Sequence, residues 1–184
     1  MGGYPKRSLT NVHLVEPLEF ADANALQRSM RRFASSGVGS WLFARMAHHI
    51  DRPVFKLTGG KNTFGSMITG LPIVMLTTTG AKSGKKRTVP VLGLPANGAI
   101  AVIASNFGQH NNPGWYYNLR ANPVGELSIV GGESRRFRAV EATGDQRARI
   151  WKTGLRVYPG WTQYETRAAH RQIVVFVLEP AEGV

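Results

Sequence analysis

The apolar positions change period along the chain. Between Asp22 and Ile50, Val38, Trp41, Leu42, Met46 and Ile50 recur at spacings of three and four, which predicts helices over 22–34 and 38–50, broken at Ser35-Ser36-Gly37. Residues 1–20 mix Pro, Gly, Asn and Lys without a period and read as an irregular arm, and 53–70, with Gly59, Gly60, Gly65 and Gly70, as a connector. Beyond Gly70 the chain is β-rich. Runs at 73–79, 88–94 and 99–105 carry Val, Ile and Thr between Gly/Lys and Pro-Ala-Asn-Gly turns, which predicts successive antiparallel strands with a hairpin at Ala96-Asn97-Gly98. A short helix is expected over 111–120, capped by Asn111 or Asn112 with Pro113 in its first turn and stopped at Asn122-Pro123. Strands near 124–130 and 134–142, a helix over 144–157 opened by Thr143 and Asp145, an aromatic segment 158–164 and a last strand at 173–179 complete the pattern. Strands in runs, without strand–helix alternation, point to a mostly antiparallel sheet or barrel with helices outside.

The longest apolar runs, Leu71–Leu76 and Ile173–Leu178, are strand-sized, so no membrane crossing is expected. The opening residues lack the apolar core of a secretory signal, which makes a cytoplasmic protein the expectation. Absence of cysteine excludes disulfides, thiolate nucleophiles, iron–sulfur clusters and Cys-ligated zinc. The chain's 184 residues carry 23 Lys+Arg against 11 Asp+Glu, a net charge of +12, which implies an anionic partner without saying which. His13, His48, His49, His110 and His170 form no helical pair three or four apart, so no metal site is expected. Gly37-Val38-Gly39 lacks the third glycine and the preceding strand of a dinucleotide fingerprint. Gly80-Ala81-Lys82-Ser83-Gly84-Lys85-Lys86 has three residues between its glycines and Lys86 where a magnesium-binding hydroxyl belongs, so it is no NTPase loop.

Two segments carry chemistry. Thr77, Thr78 and Thr79 lead into a Gly-rich turn with Lys82, Ser83, Lys85, Lys86 and Arg87; close backbone approach, hydroxyls and several cations compose a phosphate or carboxylate cradle, and a solvated lysine-rich hairpin turn fits the same residues. The stretch from Ser105 and Asn106 to Leu119 is dense in aromatics and amides, with Trp115 and Asn118 on one helical face. These two either wall a planar heterocycle or, with Leu119, seat the helix on the sheet. The aromatics are not interleaved with the basic residues as stacking platforms would be, so nucleic acid is not expected as a partner. Helices 22–34 and 38–50, with Arg28, Arg31, Arg32 and Arg45, suit either packing with a solvated polar face or peripheral contact with an anionic membrane.

The blocks IVMLTTTGAKSGKKRTVPV (73–91), IASNFGQHNNPGWYYNLRANP (103–123) and VYPGWTQY (157–164), in that order, resemble the deazaflavin-dependent nitroreductase family, actinobacterial reductases that use coenzyme F420 on a split β-barrel. The resemblance covers residues 66–180 and implies a split-barrel domain over 61–184 behind a basic helical extension over 1–60. It places Lys82, Ser83 and Arg87 at the cofactor tail with Lys85 and Lys86 nearby, Pro90, Ile103, Ala104 and Ser105 along the deazaflavin, and Trp115 and Asn118 closing its pocket. Asn106 stands where the family's best-known member has lysine and Ala81 where it has arginine. Trp161 replaces a tyrosine suspected of proton donation, a role that passes to Tyr158, Tyr164 or water. The implied activity is hydride transfer from reduced F420 to quinones, enones, coumarin-type lactones or nitroaromatics, with Ser105, Tyr158, Trp161 and Tyr164 as the catalytic candidates and Ser105 or Tyr158 stabilising the anion that forms. Two other readings remain: a split-barrel reductase binding flavin mononucleotide, and a non-enzymatic module that binds F420 or sits on an anionic membrane. A monomer or weak dimer, cytoplasmic and peripheral at the inner face of the cell membrane, is expected.

Overall fold

Strand β1 (Ile73–Thr79) and strand β2 (Lys86–Leu92) form an antiparallel hairpin in which Thr79 pairs with Lys86, Thr77 with Thr88 and Met75 with Pro90. In this computed structural model, which describes residues 23–36, 70–129 and 134–181, the hairpin opens a sheet continued by β3 (Leu94–Ala96), β4 (Ala99–Ile103), β5 (Val124–Ile129), β6 (Ser134–Glu141) and β7 (Val175–Pro180). The seven strands lie in the order β2-β1-β5-β6-β7-β4-β3, and every pairing is antiparallel. Both edges are therefore neighbours in sequence, since β2 and β3 are separated by Gly93 alone. A flat sheet cannot meet that condition, so the sheet curls until its edges approach, giving a split β-barrel with helices outside. Pro90, which has no N–H to donate, is tolerated because β2 is an edge strand.

The barrel interior is filled by Val74, Leu76, Ile100, Val102, Leu127, Phe137, Phe176 and Leu178, with Trp115 and Leu119 of helix α2 (Gly114–Ala121) packed into the same cluster. A second layer lies on the outer face of β3, β4 and β7, where Leu94, Ala101, Ile103, Val175 and Val177 meet α3 (Gly144–Val157) and α4 (Trp161–Arg167). This explains the hydropathy pattern. β4 is apolar without alternation because both its faces are covered, whereas β6 alternates, with Phe137 and Ala139 inward and Arg138 exposed.

Several expectations change in detail. The runs expected at 88–94 and 99–105 become three strands, β3 arising where a turn was read; the reversal is confined to Asn97 and Gly98, whose φ of 47° and 84° make a two-residue hairpin turn. Helix α2 starts later than expected, with Pro113 at its cap position and no side-chain cap, and neither Asn111 nor Asn112 serves. The Asn112 carboxamide oxygen instead accepts from Arg171 at 2.7 Å. The aromatic segment 158–164 turns helical at Trp161.

Helix α1 (Ala25–Ser35), which overlaps the helix expected at 22–34 and runs one residue beyond it, precedes all of these and opens with a reciprocal capping box between Asn24 and Gln27. Arg31 points inward at 1% exposure and donates to the carbonyls of Val157 and Gly70, both at 3.3 Å, while Leu26 (71%) and Phe33 (44%) face outward. The helix expected over 38–50 lies outside the described residues, among which no helix is long and apolar enough to cross a membrane.

Candidate functional site

Two loops carry the candidate residues, and α2 lies between them. The first, after β1, is folded tightly: the Gly80 N–H donates to the Lys85 carbonyl at 2.9 Å and the Gly84 N–H to the Gly80 carbonyl at 2.8 Å. A β-carbon at Gly80 would lie 2.6 Å from the Ser83 hydroxyl oxygen and 3.2 Å from the Lys85 carbonyl oxygen, so a side chain there would displace the serine. Lys82, Ser83, Lys85, Lys86 and Arg87 all point into solvent, and Lys86 pairs with Glu126 at 2.6 Å. Pleating separates the three threonines. The Thr77 hydroxyl bonds that of Thr88 at 2.8 Å, and Thr77, Thr79, Lys86, Glu126 and Arg136 are among the walls of an open polar cavity of about 590 Å³. Thr78, 1% exposed, receives a hydrogen bond from the Asn118 amide nitrogen at 2.9 Å, and the Asn118 carboxamide oxygen accepts from the Ala81 N–H at 3.0 Å. Asn118 thus ties the lysine turn to α2 with both ends of its amide.

The second loop leaves β4. Ile103 packs outward under α4, Ala104 points into the barrel, and the Ser105 hydroxyl accepts from the Trp161 indole N–H at 3.3 Å. Trp161 is 3% exposed, edge-on to Tyr158 with centroids 5.8 Å apart and tilted on Trp151 at 6.5 Å. The Tyr158 and Tyr164 hydroxyls share a hydrogen bond of 2.8 Å in which either can donate. Burial, with the adjacent Tyr164, pushes the Tyr158 hydroxyl far above the ordinary tyrosine value, although Arg167 pulls it back. Tyr164 is pushed up to about 12 by burial, against the opposing effects of its Tyr158 hydrogen bond and of Arg167. Both therefore stay protonated across the physiological range, and Trp161 lies between the pair and Ser105, touching Tyr158 with its ring and donating its indole N–H to the Ser105 hydroxyl.

Between Ser105 and α2 the backbone is left-handed for three successive residues, Asn106, Phe107 and Gly108, at φ of 47°, 56° and 74°. Asparagine and glycine tolerate this region; Phe107 in it costs on the order of 1 kcal/mol. The turn is pinned from outside. Arg171 donates to the carbonyls of Ser105 (2.9 Å), Gln109 (3.2 and 3.3 Å) and Ala104 (3.4 Å) as well as to Asn112, and Arg167 donates to the Phe107 carbonyl at 3.4 Å. Within the loop, the Asn106 amide nitrogen bonds the Asn111 carbonyl at 2.8 Å.

The structure groups Lys82, Ser83, Lys85, Lys86, Arg87, Thr77 and Thr79 on the first loop and its flank, and Ile103, Ser105, Tyr158, Trp161 and Tyr164 around the second. Trp115 and Asn118 share the sheet-facing side of α2: Trp115 is edge-on to Phe176 at 6.2 Å, and Asn118 makes the clamp. Pro90 lies on the outward side of β2, the side of Thr88. Arg167 and Arg171 were not singled out by the sequence, and Arg31, read there as part of a solvated or membrane-facing basic face, is buried instead. Nothing local marks these roles, since each acts on a backbone carbonyl 39 to 126 residues away. The Asn106-Phe107-Gly108 turn did carry a signal, an asparagine and a glycine bracketing an aromatic.

The chain is similar to known proteins over most of the barrel. A family model described as F420H(2)-dependent quinone reductase matches residues 50–180. A protein of Mycobacterium tuberculosis named as an F420H(2)-dependent quinone reductase is 32% identical over 131 residues, covering 68% of this chain and 84% of the relative. Among solved structures, one described as an F420-H2 dependent reductase is 40% identical, with a TM-score of 0.53 over 59% of this chain and 94% of its own. Another, described as a domain-swapped dimer, is 36% identical, with a TM-score of 0.56 over 70% of this chain and 95% of its own.

Proposed function

This chain belongs to the F420H(2)-dependent quinone reductase family, and from that membership we propose that it reduces quinones with a hydride from reduced coenzyme F420. The observation that carries the reading is the lysine turn: Lys82, Ser83 and Lys85 exposed on a loop that Asn118 ties to α2, with Lys86 and Arg87 exposed at the start of β2, beside a polar cavity. That donor set fits a tail bearing a phosphodiester and several carboxylates. Lys82, Ser83, Lys85 and Arg87 would grip the tail, Lys86 would join by exchanging its Glu126 partner, and Pro90, Ile103 and Ser105 would border the ring. The bound cofactor supplies two-electron hydride chemistry. The chain supplies the rest. Trp161 holds the Ser105 hydroxyl by its oxygen, which leaves the hydroxyl proton to be aimed at the acceptor, and the protonated Tyr158–Tyr164 pair beside Trp161 would stabilise charge developing on a quinone oxygen. Other flat, electron-poor acceptors, such as enones, coumarin-type lactones and nitroaromatics, would meet the same donors.

Titration of the protein with oxidised F420, beside flavin mononucleotide and nicotinamide dinucleotides, tests the cofactor. Turnover of reduced F420 with a water-soluble naphthoquinone tests the reaction. Tight F420 binding with turnover is expected; preference for flavin mononucleotide would reassign the barrel, and binding without turnover would leave a carrier.

We infer further that residues 1–60 form an extension to the barrel domain over 61–184 and that α1 touches an anionic membrane surface from the cytoplasmic side. Support comes from its inverted amphipathicity, with Arg31 inward and Leu26 and Phe33 outward on one side, next to the exposed Arg32. Leu26→Ser with Phe33→Ser should abolish salt-sensitive co-sedimentation with anionic vesicles while F420 binding persists, and unchanged sedimentation would refute the contact.

A further inference from the structure

We propose that Arg171 is a positioning residue for the reductase site, acting through the left-handed turn at Asn106, Phe107 and Gly108; the inference rests on the function proposed above. One guanidinium spans nearly the whole loop: Nη2 donates to the Ser105 and Gln109 carbonyls at 2.9 and 3.2 Å, Nη1 to the Asn112 side chain at 2.7 Å and the Ala104 carbonyl at 3.4 Å, and Nε to Gln109 at 3.3 Å. Its acceptors bracket three consecutive left-handed residues, one of them a phenylalanine. Such a conformation persists only where its surroundings over-determine it.

The same turn fixes the site. Ser105 lies immediately before it, its carbonyl held by Arg171 and its hydroxyl by Trp161. On the other side, Gly108 rests on α4 so closely that a β-carbon there would lie 3.0 Å from the Tyr164 Cα. Arg171 follows α4 in sequence, so its hydrogen bonds join the exit of β4, which bears Ile103 and Ser105, to the helix bearing Trp161 and Tyr164. The neighbouring residue reinforces this seam, because His170 stacks on His110 at 4.2 Å and its Nε2 lies 2.8 Å from the His110 carbonyl oxygen. The lysine turn takes no part in it. Arg171 therefore sets the geometry of hydride and proton delivery, while affinity for the anionic tail is set elsewhere.

Arg171→Met and Arg171→Lys in the full chain test this. With Arg171→Met, kcat of the folded fraction should fall about tenfold with KM for the quinone changing far less, and F420 affinity should hold within about threefold. Amide hydrogen exchange over 104–112 should accelerate about tenfold while exchange over 80–87 stays as in the parent. Arg171→Lys should recover part of the loss, and free guanidinium should raise the rate of Arg171→Met. A lower melting temperature with unchanged kcat would reduce Arg171 to a structural fastener and overturn the proposal, as would unchanged exchange over 104–112. Should Arg171→Met not fold, Asn112→Leu removes only the 2.7 Å acceptor and must shift exchange and kcat in the same direction or refute the idea. Absence of quinone turnover in the parent itself would instead sink the functional reading, and Arg171 would then stand or fall on exchange over 104–112.

Discussion

The turn at 80–85 and the turn at 105–109 each follow a strand and each contain left-handed residues, yet they are built in opposite ways. In the first, the charge sits on the turn itself: its cations face solvent, its one left-handed residue is a glycine, and the Asn118 side chain ties it to α2. In the second, the turn is uncharged and strained, and the charge that holds it comes from Arg167 and Arg171 on the neighbouring segment. A loop that displays its cations leaves them available to an anion. A loop that borrows cations to satisfy its own carbonyls is built to keep a shape. The two should therefore fail differently, the first in affinity and the second in stability and turnover.

The sharpest contrast is between two glycines. Gly108→Ala places a methyl 3.0 Å from backbone of α4 at a φ of 74°, and should lower stability by about 2–4 kcal/mol, several degrees of melting temperature. Gly84→Ala, at a φ of 65° but with open space around it, should cost only about 1 kcal/mol. Equal melting temperatures for the two variants would break the comparison.

Next in size is the clamp. Asn118→Ala strips the buried Thr78 hydroxyl and the Ala81 N–H of their partner, which should cost about 1–3 kcal/mol of stability and weaken F420 binding. Lys82→Ala and Arg87→Ala should weaken F420 binding by about 1 kcal/mol each at low salt and less at high salt, without altering kcat. Loss of kcat at constant affinity in either would move the catalytic geometry to the wrong loop.

The hydroxyl pair separates chemistry from binding. Tyr158→Phe removes one hydroxyl and almost no volume, so a fall in kcat of about tenfold, about 1.4 kcal/mol of barrier, would identify it as a donor. Unchanged kcat in Tyr158→Phe, Tyr164→Phe and Ser105→Ala alike would leave water as the proton source. The smallest effect is on pH dependence. Both tyrosines titrate higher in the folded chain than in the unfolded one, so folding holds their protons more tightly. Their contribution is complete below the ordinary value near 10 and is lost as pH rises through 12 and beyond. Denaturant midpoints flat from pH 6 to 9 and falling above 10 are expected, and Tyr164→Phe should blunt the alkaline fall.

What the sequence determined by itself was local. The β-rich pattern, the Asn97-Gly98 reversal, the lysine turn and α3 were all legible because each rests on interactions within a few residues, whether strand alternation, a two-residue turn or a run of cations. The three-residue strand β3 escaped because Leu94-Pro95-Ala96 has almost no propensity of its own, and it exists because the turn at Asn97-Gly98 folds it onto β4. Helix α4 escaped because Gly160 gives it no side-chain cap, and burial of Trp161 and Tyr164 stabilises it instead. The tertiary structure alone decided which polar groups meet: Asn118 with Thr78 and Ala81, Arg31 with Val157, and Arg171 with the loop at 104–112. In each, a buried or strained group takes its partner from a distant strand or helix. Sequence shows which residues can hydrogen-bond, but only the closed barrel sets which carbonyls lie within about 3 Å of them.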